Sequence, residues 1–548
     1  MRLYSLSQIP FDNSYARLPE HFYHKVKPTP LPDGQLISSN IGLAQQIGLD
    51  PCSINPQQLA DLMTGQSDFN GAEPLAMKYA GHQFGQYNPD LGDGRGLLMG
   101  ESCFVDSGGI EKRYDWHLKG AGKTRFSRMG DGRAVLRSSI REYLVSEAMH
   151  GLNIPTTRAL ALTLSSQHVH REHFEPCATV LRISECHIRF GHFEHFYYQR
   201  RYDDLRELAD YCIRRYFPEI LGISNNKTST SDKYSLQDGL KPVHYWQFFN
   251  NIFHRTVKLV AQWQAYGFVH GVLNTDNISI LGESFDYGPF EFMDNWQNNR
   301  TPNHSDHQRR YSFANQPGIM QWNLSCLAQA LIPLIVTNSD SETDLKKEEI
   351  EEETISIDTI NTLLSNYPDH FQKAWLKLMA KRLGLSSAPK ELCDDLLQLF
   401  ERLEIDGCRF FYKLSHLTLN DEPFDINAFD LPSAWKNDKG FTQWFKHYWS
   451  CLKSDTENNS VNNNSKDDHE EKRLIAMQAV NPKYILRNYM LQEAIESAEK
   501  GDYTLVNDLL RLVKNPYAHG ALADNSEFIR FAASPPDWAR GIELSCSS

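Results

Sequence analysis

No Cys-x-x-Cys pair and no tight cysteine cluster occurs among the ten cysteines of this 548-residue chain. That excludes a zinc ribbon and the disulfide framework of a small secreted domain. No uninterrupted apolar run approaches the roughly 18 residues of a membrane-spanning helix. The opening stretch, Met1-Arg2-Leu3-Tyr4-Ser5-Leu6-Ser7-Gln8-Ile9-Pro10, lacks the apolar core and small-residue cleavage site of a secretory leader. The chain is therefore expected in the cytoplasm, without a membrane partner. Internal repeats are missing, and so is any excess of positive charge, the net charge being -13. A nucleic-acid partner is accordingly not expected. Apolar residues are plentiful, at 41% hydrophobic and 11% aromatic, and this length predicts a sizeable core and more than one folding unit.

The negative charge is localised. Residues 340–353 contain eight acids and two lysines, and residues 455–472 six acids and two lysines, so the rest of the chain carries only -3. Both segments are poor in aromatics and rich in Ser, Asn, Asp, Glu and Lys. They cannot bury enough apolar area to offset chain entropy, which predicts disordered insertions near 337–356 and 454–472. Arginines cluster at Arg125, Arg128, Arg133, Arg137 and Arg141 without forming a duplex-binding pattern. Cys546 stands three residues from the end, where a thiol is expected to be exposed.

Along the chain, residues 1–75 read as proline-containing loops with a polar helical piece, expected to wrap a neighbouring unit. In Tyr114-Asp115-Trp116-His117-Leu118-Lys119 the alternation predicts a strand with Asp115, His117 and Lys119 on one face. Apolar residues from Arg133 to Gly151 recur at spacings near three and four, predicting an amphipathic helix closed by Gly151, with Glu142 off the apolar stripe. Strands are expected at 159–164 and 178–183. Beyond about 201 the chain reads as mainly helical, including Tyr245–Tyr266 and Pro482–Lys514, interrupted by a strand pair around Ile278–Leu281 and Glu291–Met293.

The chemistry concentrates in His270-Gly271-Val272-Leu273-Asn274-Thr275-Asp276-Asn277 and, nine positions on, Asp286-Tyr287-Gly288. This is similar to the protein kinase catalytic loop and metal-binding triplet, with His270 and Asn277 in register. Val272 occupies the place of the proton-accepting aspartate, and valine cannot accept a proton. Asn277 and Asp286 remain as oxygen donors suited to Mg²⁺ against nucleotide phosphates, with a new carboxylate, Asp276, beside them. Leu118-Lys119-Gly120-Ala121-Gly122-Lys123-Thr124 is no Walker A loop, because His117 stands where the first glycine is required. Lys119 is instead matched to the strand lysine that touches phosphates and pairs with a helix glutamate, here Glu142. Gly92-Asp93-Gly94-Arg95 and Met129-Gly130-Asp131-Gly132-Arg133 form glycine turns able to approach an anion. Asp131, taken alone, reads as the N-cap of the following helix. Arg182 and Arg189 have the fork geometry to reach a terminal phosphate, or to form ordinary salt bridges.

Six motifs together, Tyr79-Ala80-Gly81-His82-Gln83-Phe84-Gly85, Gly92 to Arg95, Leu118 to Gly122, Met129 to Met149, His270 to Asn277 and Asn303-His304-Ser305-Asp306-His307-Gln308, strongly resemble the selenoprotein O (SelO, YdiU) family. The resemblance covers nearly the whole chain. It implies an α+β, protein-kinase-like fold with two lobes: a small mixed N-lobe over 76–200 and a large, mainly helical C-lobe over 201–548, with extensions. It further implies a pseudokinase that binds ATP end for end relative to kinases and moves AMP to Ser, Thr or Tyr hydroxyls of protein substrates, with Mg²⁺ or Mn²⁺; UMP transfer with Mn²⁺ is also ascribed to bacterial members. By the same resemblance Asp276 is the proton acceptor and Asn277 and Asp286 are metal ligands. Gly92, Gly94, Arg95, Lys119, Asp131, Gly132, Arg182 and Arg189 bind the nucleotide. Cys546 falls where relatives carry selenocysteine, which implies a redox role, but Pro302 replaces the cysteine that serves some relatives as its disulfide partner. The chain is expected to act as a monomer. A catalytically silent nucleotide-binding scaffold and a phosphoryl-transferring kinase are the competing readings.

Overall fold

A computed structural model describes residues 2–106, 108–171, 173–222, 239–336, 355–418, 432–459, 466–517, 525–542 and 544. Nine strands build one antiparallel sheet: β1 (Tyr23–Lys25), β2 (Gln35–Ser39), β3 (Leu75–Gln83), β4 (Gln86–Gly92), β5 (Gly96–Val105), β6 (Glu111–Lys119), β7 (Ala134–Val135), β8 (Arg158–His170) and β9 (Phe174–Ser184). The main path runs β1-β3-β5-β6-β9-β8-β2, with β4 paired to β3 and β7 to β9. A two-stranded ribbon, β10 (Phe268–Val269) with β11 (Glu291–Phe292), follows.

Helices fill the rest. Those before the long β8–β9 hairpin are α1 (Ile41–Gln46), α2 (Pro56–Met63) and α3 (Leu136–Gly151). After it come α4 (Phe190–Tyr198), α5 (Tyr202–Tyr216), α6 (Pro242–Tyr266), α7 (Gln316–Ile335), α8 (Ile357–Ser365), α9 (Tyr367–Leu383) and α10 (Lys390–Arg402). The last are α11 (Gly407–Leu414), α12 (Ser433–Lys436), α13 (Lys439–Asn459), α14 (Lys466–Gln478), α15 (Asn488–Ala498) and α16 (Thr504–Val513). The molecule is thus α+β, a large antiparallel sheet early in the chain and many helices after it.

The alternation read in β6 holds. Trp116 and Leu118 enter one apolar cluster with Leu97, Leu181 and Ile183, while Asp115, His117 and Lys119 are buried on the opposite face. Register pins this arrangement, because Lys119 pairs with Gly96 on one side and Val180 on the other. A slip of one residue would send Lys119 into the apolar layer.

Several expectations need correction. The helix α3 is not amphipathic: it is buried from Ser138 to Met149, polar residues included, because it lies between β8 and β9 on one side and α15 and α16 on the other. Its polar residues are paired inside: Arg137 with Glu175 and Arg141 with Phe290 O and Asn488 Oδ1. The stretch Ile278–Leu281 is not a strand; β11 pairs with β10, and only a single bridge joins Ser279 to Arg189. The expected helix over Pro482–Lys514 is two, broken at Lys500-Gly501-Asp502, where Gly501 takes φ +86°. In the second acidic segment, α13 runs to Asn459 and α14 resumes at Lys466, so a structureless insertion is wrong for the flanks, while 460–465 lie outside the described residues. The first acidic segment, from 337 to 354, also lies outside them, as does Cys546. One helical stretch, Phe313–Ile335, is long and apolar enough to cross a membrane by composition, yet half of that window is buried in the protein.

Candidate nucleotide-transfer site

A polar cavity of about 550 Å³ opens where β3, β4, β6 and the glycine turns face the loop before β11. Gly92, Gly94, Arg95, Lys119, Asp131, Gly132, Arg182, Arg189, Asp276, Asn277 and Asp286 all line it. Residues spread over nearly two hundred positions of sequence therefore meet in one pocket. Glu142 lies behind it.

Glu142, on α3, projects beneath the end of β6. Lys119 Nζ donates to its Oε2, and Arg182 Nε, from β9, donates to its Oε1. All three side chains are at most 5% exposed. Burial raises a lone carboxyl, but Arg182 and Lys119 together outweigh it and hold Glu142 at about 2. Burial also pulls the Lys119 ammonium down to about 8, against the pull of Glu142. The lysine–glutamate pair read from spacing is present, with Arg182 as a third member.

Asp286 has a positive φ of +54°, a conformation that a non-glycine residue keeps only when its surroundings impose it. Those surroundings are two guanidiniums. Arg182 Nη2 lies 2.8 Å from Oδ1 and Arg189 Nη1 2.5 Å from Oδ2. Burial again works toward protonation, and Arg189, Arg182 and Lys119 overcome it, holding the carboxyl well below its ordinary range. Arg189 Nη1 also donates to the backbone oxygen of Asp276 at 2.8 Å, and its guanidinium stacks over Tyr79 and Phe285. The two arginines thus both hold the Asp286 carboxylate.

Asp276 sits in a 3-10 turn, Thr275–Asn277, and is 6% exposed. Burial lifts its carboxyl to about 6, against the hydrogen bond from Gln83 Nε2 (3.1 Å) and the charge of Arg189. Its Oδ1 is buried without a hydrogen-bond partner among the described residues. Asn277 Nδ2 donates to Val272 O at 3.2 Å, which spends the amide nitrogen and not the oxygen. An orphaned carboxylate oxygen, an amide oxygen and an ionised Asp286 form a hard-oxygen set that fits Mg²⁺ or Mn²⁺.

The glycine turns close the other wall. At Gly132 φ is +73°, and a Cβ would fall 2.1 Å from Gly122 O; only glycine allows the two turns this approach. Asp131 does not cap α3, whose N-cap is Val135 without a side-chain cap. The helix starts four residues too late for it. Asp131 instead accepts the Arg133 N–H and a two-pronged pair of 2.8 Å bonds from Arg171 at the β8–β9 turn.

Sequence reasoning left out Asp93, His117, Gln83 and Arg171 as site residues. Asp93 accepts from Met77 N at 3.1 Å and lies 3.4 Å from His117 Nε2 and 3.9 Å from Arg189 Nη2; His117 and Arg189 outweigh burial to keep it low. His117 was legible, since it shares the Lys119 face of β6. Arg171 carried no sequence signal, because its place is set by a 13-residue strand returning over Asp131. His270 is no pocket residue: it is buried, its Nε2 bonded to Phe285 O.

A buried lysine–glutamate pair, two arginines and oxygen donors around one polar cavity mark a nucleotide-dependent transferase. The family model described as protein adenylyltransferase SelO matches residues 5–514, and the chain belongs to that family of nucleotidyltransferases. Among curated relatives, protein nucleotidyltransferase YdiU of Hahella chejuensis is 47% identical over 549 residues, covering 99% of each chain. Its counterparts in Azotobacter vinelandii and Photobacterium profundum are 42% and 41% identical, with at least 99% of both chains covered.

Proposed function

We propose that this protein transfers AMP from ATP to Ser, Thr or Tyr hydroxyls of target proteins, with ATP lying end for end relative to a protein kinase. The observation that carries the reading is the double role of Arg189 Nη1, within hydrogen-bond reach of both the Asp276 backbone and the Asp286 carboxylate. It ties the phosphate-binding cations, the metal-type donors and the proton acceptor to one point. Val272 leaves no carboxylate at the kinase position, so the acceptor proton goes to Asp276.

In this reading residues 76–200 and 201–548 are the small and large lobes of a kinase-like fold, with 1–75 wrapping the former. Lys119, Arg182 and Arg189 hold the outer phosphates. Gly92, Gly94, Gly132 and the loops around Arg95 and Asp131 bind the remainder of the nucleotide. Asn277 and Asp286 would hold a divalent cation, which when bound would supply charge neutralisation for the phosphates. The acceptor oxygen bonds to the α-phosphorus as the bond to the β-phosphate bridging oxygen breaks. A carboxyl lifted to about 6 by burial suits a base working near neutrality.

Incubation with ATP labelled separately at the α- and γ-phosphates tests the reading. Protein label from the α position supports it, and label only from the γ position establishes the kinase alternative instead. The relatives are named nucleotidyltransferases, which leaves the base open. Intact mass after reaction with ATP or UTP distinguishes AMP from UMP.

A further inference from the structure

The motif Tyr79 to Gly85 gives the site Tyr79, beneath Arg189, and Gln83, bonded to Asp276. Its backbone runs along the end of β3, directly on the turn that carries Asp276. His82 N donates to Thr275 Oγ1 at 2.7 Å, and Phe84 N donates to Tyr311 OH at 2.8 Å and reaches Asn274 Oδ1 at 3.3 Å. Two glycines make the approach possible. A Cβ on Gly81 would lie 2.7 Å from Asp276 Oδ1, and one on Gly191, at the start of α4, would lie 2.0 Å from Ala80 O. Strand, turn and helix are therefore in backbone contact at this point.

Glu194 lies at the centre of the junction. It projects from α4, is fully buried, and uses both oxygens: Oε1 is 2.5 Å from His82 Nδ1, and Oε2 receives the Thr275 hydroxyl. Thr275 Oγ1 accepts from the strand and donates to the helix at once. A hydroxyl with one proton and free lone pairs can do both, and a methyl group can do neither. Thr275 immediately precedes Asp276 in the 3-10 turn, so holding its side chain from both sides restrains the backbone that carries Asp276.

We propose that the His82–Glu194–Thr275 relay is a positioning device for the reaction: the early sheet, through α4, fixes the turn that presents Asp276 and Asn277. It rests on the function proposed above for the identity of the reaction. Thr275 and Glu194 are positioning residues and touch no substrate. Cys326 is the alternative occupant of interest, since its sulfur, His82 and Glu194 place three ligand-type atoms within 4.8 Å of one another. His82 engages one Glu194 oxygen and Thr275 the other, which is the geometry of a relay.

The test uses the full chain with α- and γ-labelled ATP, its own hydroxyls and casein as acceptors. Thr275→Val and Glu194→Gln are each expected to lower the transfer rate by about 10²-fold, the scale of a small misplacement of a reacting group. Nucleotide affinity, set by Lys119 and the arginines, should stay within about threefold, a split expected when only positioning is lost. Thr275→Ser, which keeps the hydroxyl, should recover most of the rate, and Cys326→Ser should leave it unchanged. Equal loss in Thr275→Val and Thr275→Ser overturns the proposal, as does an undiminished rate in Thr275→Val or a loss confined to nucleotide affinity. Stoichiometric zinc in the purified protein, lost with activity in Cys326→Ser, also overturns it in favour of a metal site. A wild type that passes only the γ-label sinks the function proposed above, while the relay is still judged on the same variants by that label.

Discussion

Glu142 balances two buried cations, so its removal leaves Lys119 and Arg182 uncompensated at the bottom of the pocket. Breaking a buried charge network from one side costs about 3–5 kcal/mol. Glu142→Ala is expected to lose stability on that scale in urea denaturation and to weaken ATP binding; a loss below about 1 kcal/mol, typical of exposed pairs, would contradict the network. Asp115 makes a second prediction at this scale. It is 2% exposed with Oδ1 unpartnered among the described residues, and burial raises it from 3.8 to about 7, against Arg215 and the His187 N–H. The folded chain keeps a proton there that the unfolded chain has released, so the Asp115 contribution to stability declines as pH rises from about 4 to about 7, by at most about 1.4 kcal/mol per pH unit. Asp115→Asn removes that slope. The stability of the variant relative to wild type should improve between about pH 4 and about pH 7 and level off above, and a difference independent of pH would show that the carboxyl titrates normally.

Among the elements, the glycine turn before α3 is the one whose backbone the site depends on. Gly132→Ala puts a Cβ into the Gly122 carbonyl at a positive φ, a strain of about 1–3 kcal/mol or more. The turn must shift, and with it the wall of the nucleotide pocket. Weaker ATP binding with only a modest drop in melting temperature is the expected result of titration calorimetry and a thermal scan; unchanged affinity would remove this turn from the nucleotide site. The elements also show what was legible. Strand β6 and the long helix α6 are readable because period-2 and period-3.6 patterns survive wherever one face packs into an apolar cluster and the other carries polar groups. Helix α3 was found but misjudged, since a helix buried all round still shows a periodic apolar stripe while its polar residues are paired inside. Ile278–Leu281 is apolar enough for a strand but has only Ser279 to bridge to Arg189. Apolar composition alone does not distinguish a buried loop from a strand.

For the whole molecule, the site is a meeting of distant segments, and ligands should couple to the stability of all of them. ATP with Mg²⁺ at about 100 times its Kd should raise unfolding free energy by about 2.7 kcal/mol. Asp286→Ala should abolish transfer because the metal-type carboxylate is gone. If that variant keeps the full thermal shift and wild type shows no turnover, the scaffold alternative stands. Chelation by EDTA should stop transfer by wild type, with recovery on adding Mg²⁺ or Mn²⁺; transfer that persists through chelation would remove Asn277 and Asp286 from their assigned role.

The sequence by itself determined the chemistry available: a valine at 272 with a carboxylate at Asp276, a strand lysine 23 residues before a helix glutamate, and glycine turns bearing charge. Such features are local, because residue type and short spacing decide whether a proton can be accepted or a backbone can bend. Only the tertiary structure decided which charges meet. That Arg182 serves Glu142 and Asp286 together, that Arg171 crosses to Asp131, and that Glu194 reaches Thr275 all depend on strand register and helix packing over 40 to 104 residues of separation. No short-range pattern encodes those distances, because they follow from how the whole apolar core closes.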